Sequence, residues 1–143
     1  MIHQLTTEKD TFKLAKQIAS GLRGGETLAL IGDLGAGKTT FTKGLAKALG
    51  LDPDAITSPT FVLMKVYQLS KPKHGIQTLV HIDAYRLAQG GELIDIGLLD
   101  YMGQHGVVTV IEWADRVEDV LLDNTTRFEF ALKDKGSRVV KIK

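Results

Sequence analysis

The stretch Thr27-Leu28-Ala29-Leu30-Ile31-Gly32-Asp33-Leu34-Gly35-Ala36-Gly37-Lys38-Thr39-Thr40 decides the fold. It opens within a nearly unbroken apolar run, residues 26–31, that stops at glycine. A run that short, ended that way, reads as a buried parallel strand. After the glycines, residues 38–49 place Phe41, Leu45, Ala48 and Leu49 on one helical face. Gly50 then stands where a helix C-terminal cap belongs. A buried strand, a glycine-rich turn and a helix therefore follow one another directly.

The flanks agree with this unit. Residues 2–5 read as a short strand. Thr6 or Thr7 caps a helix, with Asp10 near its positive end and Phe12, Leu14, Ala15, Ile18 and Ala19 as its apolar stripe. Gly21, Gly24 and Gly25 end that helix. Residues 61–69 read as a strand, 70–75 as a turn holding Pro72, and 76–82 as a second strand, which together predict a hairpin. Weak helical patterning covers residues 92–99. Residues 107–111 form a second buried-type strand running into Glu112, and 114–122 read as helix. Residues 127–132 and 138–142 alternate and read as a closing antiparallel pair. No repeat or low-complexity linker divides the chain, so residues 1–143 are expected to form one domain of α/β class with a mixed sheet.

The turn itself carries chemistry. Gly32-Asp33-Leu34-Gly35-Ala36-Gly37-Lys38-Thr39 fits the P-loop pattern, two glycines bracketing four residues ahead of Lys-Thr. Glycine permits positive backbone angles and leaves room for an approaching ligand. Successive amides turn inward around a phosphate, and the next helix adds its free amides and its positive end. Lys38 reaches the outer phosphates as a point charge, and Thr39 offers a hydroxyl to Mg2+. Thr40 extends the same loop.

A phosphate-transfer site of this kind needs an acid near the metal, at the end of a neighbouring strand. Two segments have that form, one ending in Asp83 and the other in Glu112, and periodicity does not rank them. Thr60, in Ser58-Pro59-Thr60-Phe61, stands in a loop before a strand, where a hydroxyl serves either as a switch ligand or as an ordinary turn residue. Trp113, the single tryptophan, follows Glu112; position alone divides it evenly between core and site. His81 alternates with Val80 and Ile82 and is read as a strand residue facing away from the core.

Composition excludes much else. There is no cysteine, so disulfide scaffolds, thiolate metal sites and cysteine nucleophiles fall away. The longest apolar runs are four residues, against about twenty for a membrane span. No basic region followed by an apolar one marks the first residues as a secretory signal, and a cytoplasmic setting is the expectation. The 18 basic and 17 acidic residues are mixed, giving a net charge of +1, which argues against a DNA or RNA binder working by charge alone. Glycine, 15 of 143, is slightly raised over the usual 7% or so. The only asparagine, Asn124, precedes Thr125, so the Asn-Lys-x-Asp element that reads guanine is missing and ATP is expected over GTP. Arginines are few and no inserted lid is visible.

Four blocks in order, Gly-Asp-Leu-Gly-Ala-Gly-Lys-Thr-Thr (32–40), Ser-Pro-Thr-Phe (58–61), His-Ile-Asp-Ala-Tyr-Arg-Leu (81–87) and Ile-Glu-Trp-Ala-Asp-Arg (111–116), resemble the bacterial TsaE family, also called YjeE. The likeness runs from about Thr6 to the C-terminus. It implies a P-loop NTPase-type three-layer fold, with a parallel sheet centre and added antiparallel strands. It implies an ATPase required for threonylcarbamoyladenosine in tRNAs that read codons beginning with adenine. Such a protein does not transfer the group itself but acts on the TsaD–TsaB pair, resetting it between turnovers. By the same likeness Lys38 and the amides of residues 32–37 hold the phosphates of ATP, Thr39 and Glu112 position Mg2+, and Asp83 orients the water or acts as base. Thr60 belongs to a switch-like loop, Trp113 lies beside the nucleotide, and Thr7 and Arg138 approach the adenine. Contact with tRNA is expected to be indirect or shared. Two other readings of the residues stay open, a small-molecule kinase without a lid and a nucleotide-sensing module without catalysis.

Overall fold

The computed structural model describes residues 1–59 and 61–143. The chain runs through β1 (Ile2–Leu5), α1 (Glu8–Gly21), β2 (Thr27–Ile31), α2 (Lys38–Ala48), β3 (Met64–Lys73), β4 (Ile76–Asp83), α3 (Gly91–Asp95), β5 (Val107–Glu112), β6 (Thr126–Leu132) and β7 (Arg138–Ile142). Short 3-10 segments lie at Pro53–Ala55, Leu98–Asp100, Ala114–Val120 and Asp134–Gly136. The strands form one seven-stranded sheet in the order β1-β7-β6-β2-β5-β4-β3. Its centre, β6-β2-β5-β4, is parallel; β3 joins one edge antiparallel, and β7 and β1 the other. This is the mixed α/β, P-loop NTPase-type fold.

Both faces of the sheet are covered, which is why its central strands are apolar without alternation. Leu28, Leu30, Leu79, Val108 and Val110 pack on one side with Leu14, Ala15, Phe41 and Leu45 from α1 and α2. Ala29, Val80, Ile82 and Ile111 pack on the other side with Leu93, Leu98 and Val117. Phe41 is fully buried, with its ring centroid 5.1 Å from that of Phe128 and 5.8 Å from that of Phe130. Burying a ring of that size contributes roughly 2–3 kcal/mol and seats α2 on β6. The N-terminus of α1 is closed by a capping box in which the Thr7 hydroxyl accepts from the Asp10 amide and the Asp10 carboxylate accepts from the Thr7 amide.

Several boundaries differ from the sequence reading, each for a local reason. Residues 61–63 are a turn, not the start of a strand. Leu63 has a φ of 67°, its amide donates to the Pro59 carbonyl, and β3 begins only at Met64. The strand then continues through Lys73, where a turn was expected. An edge strand tolerates Pro72 because one side needs no ladder bond, and the register slips between Gln68 and Lys73. The hairpin turn shrinks to His74-Gly75, both at positive φ. The helix expected over 92–99 is split by Gly97, at a φ of 106°, into α3 and a 3-10 turn. That expected over 114–122 is 3-10 instead, with non-helical angles at Val117. His81 does point away from Val80 and Ile82, but the second face is also covered, so it is buried rather than outward-facing. Among the described residues no helix is long and apolar enough to cross a membrane.

The helices α1 and α2 meet at Gly44. A Cβ built there lies 2.9 Å from the Ala15 Cβ and 3.2 Å from the Phe12 Cα. Helix propensity alone predicts that Gly44→Ala stabilises the protein by about 1 kcal/mol. Overpacking is expected to win, so that denaturant melts show a loss of about 1 kcal/mol instead. A stabilised Gly44→Ala protein would contradict this packing.

Candidate functional site

The sheet register brings the chemistry together. Parallel pairing of β4 with β5 sets Asp83 opposite Glu112, and pairing of β5 with β2 sets Glu112 beside Leu30, two residues before Gly32. Both carboxylates therefore stand at the C-terminal edge of the parallel centre, next to the glycine turn. Open α/β sheets bind ligands at that edge. A cleft of about 440 Å3 lies there, lined among others by Lys38, Thr39, Asp83, Glu112, Trp113 and Arg138. Leu34, Gly35, Gly37 and Thr40 line it too. Thr7 does not; its hydroxyl is taken up in capping α1. Thr60 lies outside the described residues.

The loop's glycines have separate reasons. A side chain on Gly32 would place its Cβ 2.5 Å from the Phe130 carbonyl oxygen, so here the neighbouring strand β6 forbids one. Gly35 has open space around it, and its left-handed backbone, with that of Gly37, bends the loop into a concave run of amides. Ala36 is buried beneath the loop, and Asp33 and Leu34 are exposed on it. From β7, the Arg138 guanidinium Nε donates to the Gly35 carbonyl at 3.1 Å and clasps the loop from outside.

Lys38 is 4% exposed, and its ammonium donates to the carbonyls of Gly32, at 2.5 Å, and Asp33, at 2.9 Å. It also lies 4.2 Å from the centroid of the Trp113 ring. Burial pushes its pKa below the ordinary lysine value, against the pull of Glu112 first, then Asp33, Asp83 and Asp115. Trp113 owes its place to a left-handed backbone, φ 58°, uncommon for so bulky a residue. That turn directs the ring into the cleft, where Tyr85 packs on it at 4.9 Å and Arg116 lies 5.2 Å from its centroid.

Glu112 is 2% exposed and both of its oxygens are engaged. Oε1 accepts from the Thr39 hydroxyl at 2.8 Å, and Oε2 meets His81 Nε2 at 2.5 Å. With the carboxylate ionised, Nε2 carries the hydrogen and donates. Asp83 accepts from the Tyr85 amide through Oδ1 and from the Ser58 hydroxyl through Oδ2. Thr39 and Glu112 thus converge as hard oxygen donors at the first turn of α2, a pairing suited to Mg2+. Among the described residues no cluster of three or more His, Cys, Asp or Glu is arranged to hold a metal. A metal at Thr39 and Glu112 would take its remaining oxygens from a phosphate ligand and water, as Mg2+ commonly does.

Sequence reasoning passed over three contributors. His81 was read as an ordinary strand residue, though two-residue spacing puts it on the same face as Asp83. Ser58 lies beside the threonine that drew attention. The signal for Tyr85 is Asp-x-Tyr, which places its amide two residues on from Asp83, within reach of an Asx turn.

Comparison with known proteins then adds to the geometry. A family model described as "Threonylcarbamoyl adenosine biosynthesis protein TsaE" matches residues 5–140. A "tRNA threonylcarbamoyladenosine biosynthesis protein TsaE" of Aquifex aeolicus is 41% identical over 141 residues, covering 96% of this chain and 92% of that one. A protein of the same name from Bacillus subtilis is 39% identical over 128 residues, covering 90% of this chain and 74% of the relative. The crystal structure of Bacillus subtilis YdiB superposes with a TM-score of 0.77 at 31% identity, over 99% of this chain and 83% of that one.

Two measurements test the site. His81→Ala strips a buried partner from Glu112 and is expected to cost about 3 kcal/mol in denaturant melts. Replacing exposed His105 by Ala should cost under about 0.5 kcal/mol. Lys38 gives a pH test. Because its folded pKa is lowered, the unfolded chain binds more protons between that value and 10.5. Stability from this group must then rise with pH. Relative to Lys38→Met, the wild type should gain stability between pH 7 and 10, and a flat difference would contradict a buried ammonium.

Proposed function

The chain belongs to the TsaE family, whose role lies in tRNA threonylcarbamoyladenosine biosynthesis, and from that premise we propose that it is an ATP-binding, slowly hydrolysing protein acting in the cytoplasm on the TsaD–TsaB transfer pair. Its ATP cycle resets that pair between turnovers. The observation that supports this best is the 2.8 Å hydrogen bond between Thr39 and Glu112. It joins residues 73 positions apart at the mouth of a glycine loop, and a loop serving only as a chain reversal has no need of it.

In this reading the amides of Gly32, Asp33, Leu34, Gly35, Ala36 and Gly37 cradle the phosphates of ATP. Lys38 leaves its two carbonyl partners for the outer phosphate oxygens. Exchanging neutral acceptors for charged ones returns a buried ammonium to a paired state. Thr39 and Glu112 would hold Mg2+, and Thr40 supports the same loop. A bound Mg2+ would supply charge neutralisation at the phosphates. Asp83, fixed by Ser58 and the Tyr85 amide, orients the attacking water or accepts its proton. Thr60 joins them as a switch-loop hydroxyl. Trp113 packs beside the nucleotide, and Arg138 faces its adenine side, whereas Thr7, outside the cleft, is left to its cap.

The experiment is multiple-turnover tRNA modification with purified TsaD and TsaB, alongside ATP binding and phosphate release. Lys38→Ala should abolish ATP binding. Glu112→Ala should weaken Mg2+-dependent binding and hydrolysis together. Asp83→Ala should keep ATP binding within about threefold and lower turnover by about a hundredfold or more. Repeated turnover without this protein would remove the proposed role. Unchanged turnover with Asp83→Ala would favour a sensing module, and a phosphorylated metabolite among the products a kinase.

A further inference from the structure

The net charge of +1 conceals a segregation. Residues 83–124 hold nine acids and only two basic residues, Arg86 and Arg116, so the rest of the chain is strongly basic. Part of that excess gathers in one groove, away from the nucleotide cleft and sharing no lining residue with it. On α1, Lys9, Lys13 and Lys16 follow one another at spacings of four and three, which puts them on one face of the helix. Lys47, near the C-terminus of α2, and Lys73, at the end of β3, close the groove around about 750 Å3. Helices α1 and α2 approach this closely because Gly44 has no side chain.

These charges are only slightly offset from within, by Asp10 acting on Lys13. The ion pairs found among the described residues are His81–Glu112, Arg127–Glu118 and Lys143–Glu129, none of which involves a groove lysine. The one acid lining the groove, Asp10, is committed to the amides of Thr6 and Thr7 at its own helix cap. Lys73 donates to the Ala48 carbonyl, and Lys47 lies 5.6 Å from the Phe12 ring. Like charges at helical spacing cost stability, and one acid, Asp10 beside Lys13, stands against five lysines, so the groove favours an external polyanion.

We propose that this groove binds the phosphodiester backbone of tRNA. The assignment rests on the family's place in tRNA modification, but not on ATP hydrolysis. Lysine suits the task as a point charge that needs no fixed geometry, so binding is independent of sequence. Phe12, half-covered beneath Lys47, offers no open stacking platform, which points to backbone rather than base contact. The acid-rich segment 83–124 repels the same strand and leaves the groove as the favoured track.

The test is equilibrium binding of unmodified tRNA to the full chain between 50 and 200 mM salt, with Lys13→Gln/Lys16→Gln/Lys47→Gln as the variant. Each lost phosphate contact should lower the slope of log K against log salt by about 0.7–0.9. The triple variant is therefore expected to lose about two units of slope and at least about tenfold in affinity at 50 mM salt. Unchanged ATP binding and a thermal midpoint no lower than the wild type's would establish that the variant is folded. A wild type that does not bind tRNA at 50 mM salt would overturn the proposal. So would a variant with unaltered affinity and slope, or one that loses TsaD–TsaB binding while keeping tRNA. Lys38→Ala separates the two readings: if the ATPase role fails but the groove role holds, tRNA binding is the same with and without Lys38.

Discussion

Glu112 is a carboxylate taken almost entirely out of water, and such a charge persists only where every oxygen has a partner. The carboxylate and its two partners come from three separated parts of the chain. Thr39 arrives on α2, His81 on β4, and Glu112 itself at the end of β5. The strand order that sets β5 between β2 and β4 is what makes this possible. A different neighbour on either side of β5 would leave one oxygen of the carboxylate buried without its partner. The group that fits the chemistry of the site is thus also the one that punishes a misarranged sheet.

The strain beside it follows the same logic. Trp113 adopts a left-handed backbone directly after Glu112, and this turns its ring towards Lys38 instead of into the sheet. Lys38 in turn has only neutral carbonyls as hydrogen-bond partners, and its burial depresses its pKa. A buried ammonium without a carboxylate in direct contact is a poor arrangement for stability. It is a good arrangement for capturing an anion, because the incoming charge relieves a cost already present. Folding stability and ligand affinity are opposed at this residue.

Much of the fold is legible in one dimension. The apolar run of β2, the stripe of α2 and the glycine turn between them identify a strand–loop–helix unit by period and composition alone. The hairpin and the final antiparallel pair are legible too, as alternation broken by turn residues. The misreadings fall where local pattern and tertiary surroundings part company. Residues 61–63 are apolar and strand-like but are bent into a turn on Pro59. Residues 70–73 look like a turn but continue the edge strand, which pairs again at Lys73 with Ile76. His81 looked outward because alternation tells which face a residue takes, not whether a second layer of helices covers that face.

The sequence by itself determined that there would be a phosphate-type loop opening a helix, a buried parallel strand ahead of it and two acids at strand ends. These are short-range properties, governed by backbone permissiveness and side-chain period within a dozen or so residues. Only the tertiary structure decided which acid meets Thr39, what His81 holds, why Gly32 must be glycine and where the lysines collect. Each of those depends on a contact between residues distant in sequence, such as the Phe130 carbonyl above Gly32 or Lys73 beside Ala48. Such contacts follow from strand order and helix packing, which are set by burying both faces of one sheet at once, and no window of sequence contains that constraint.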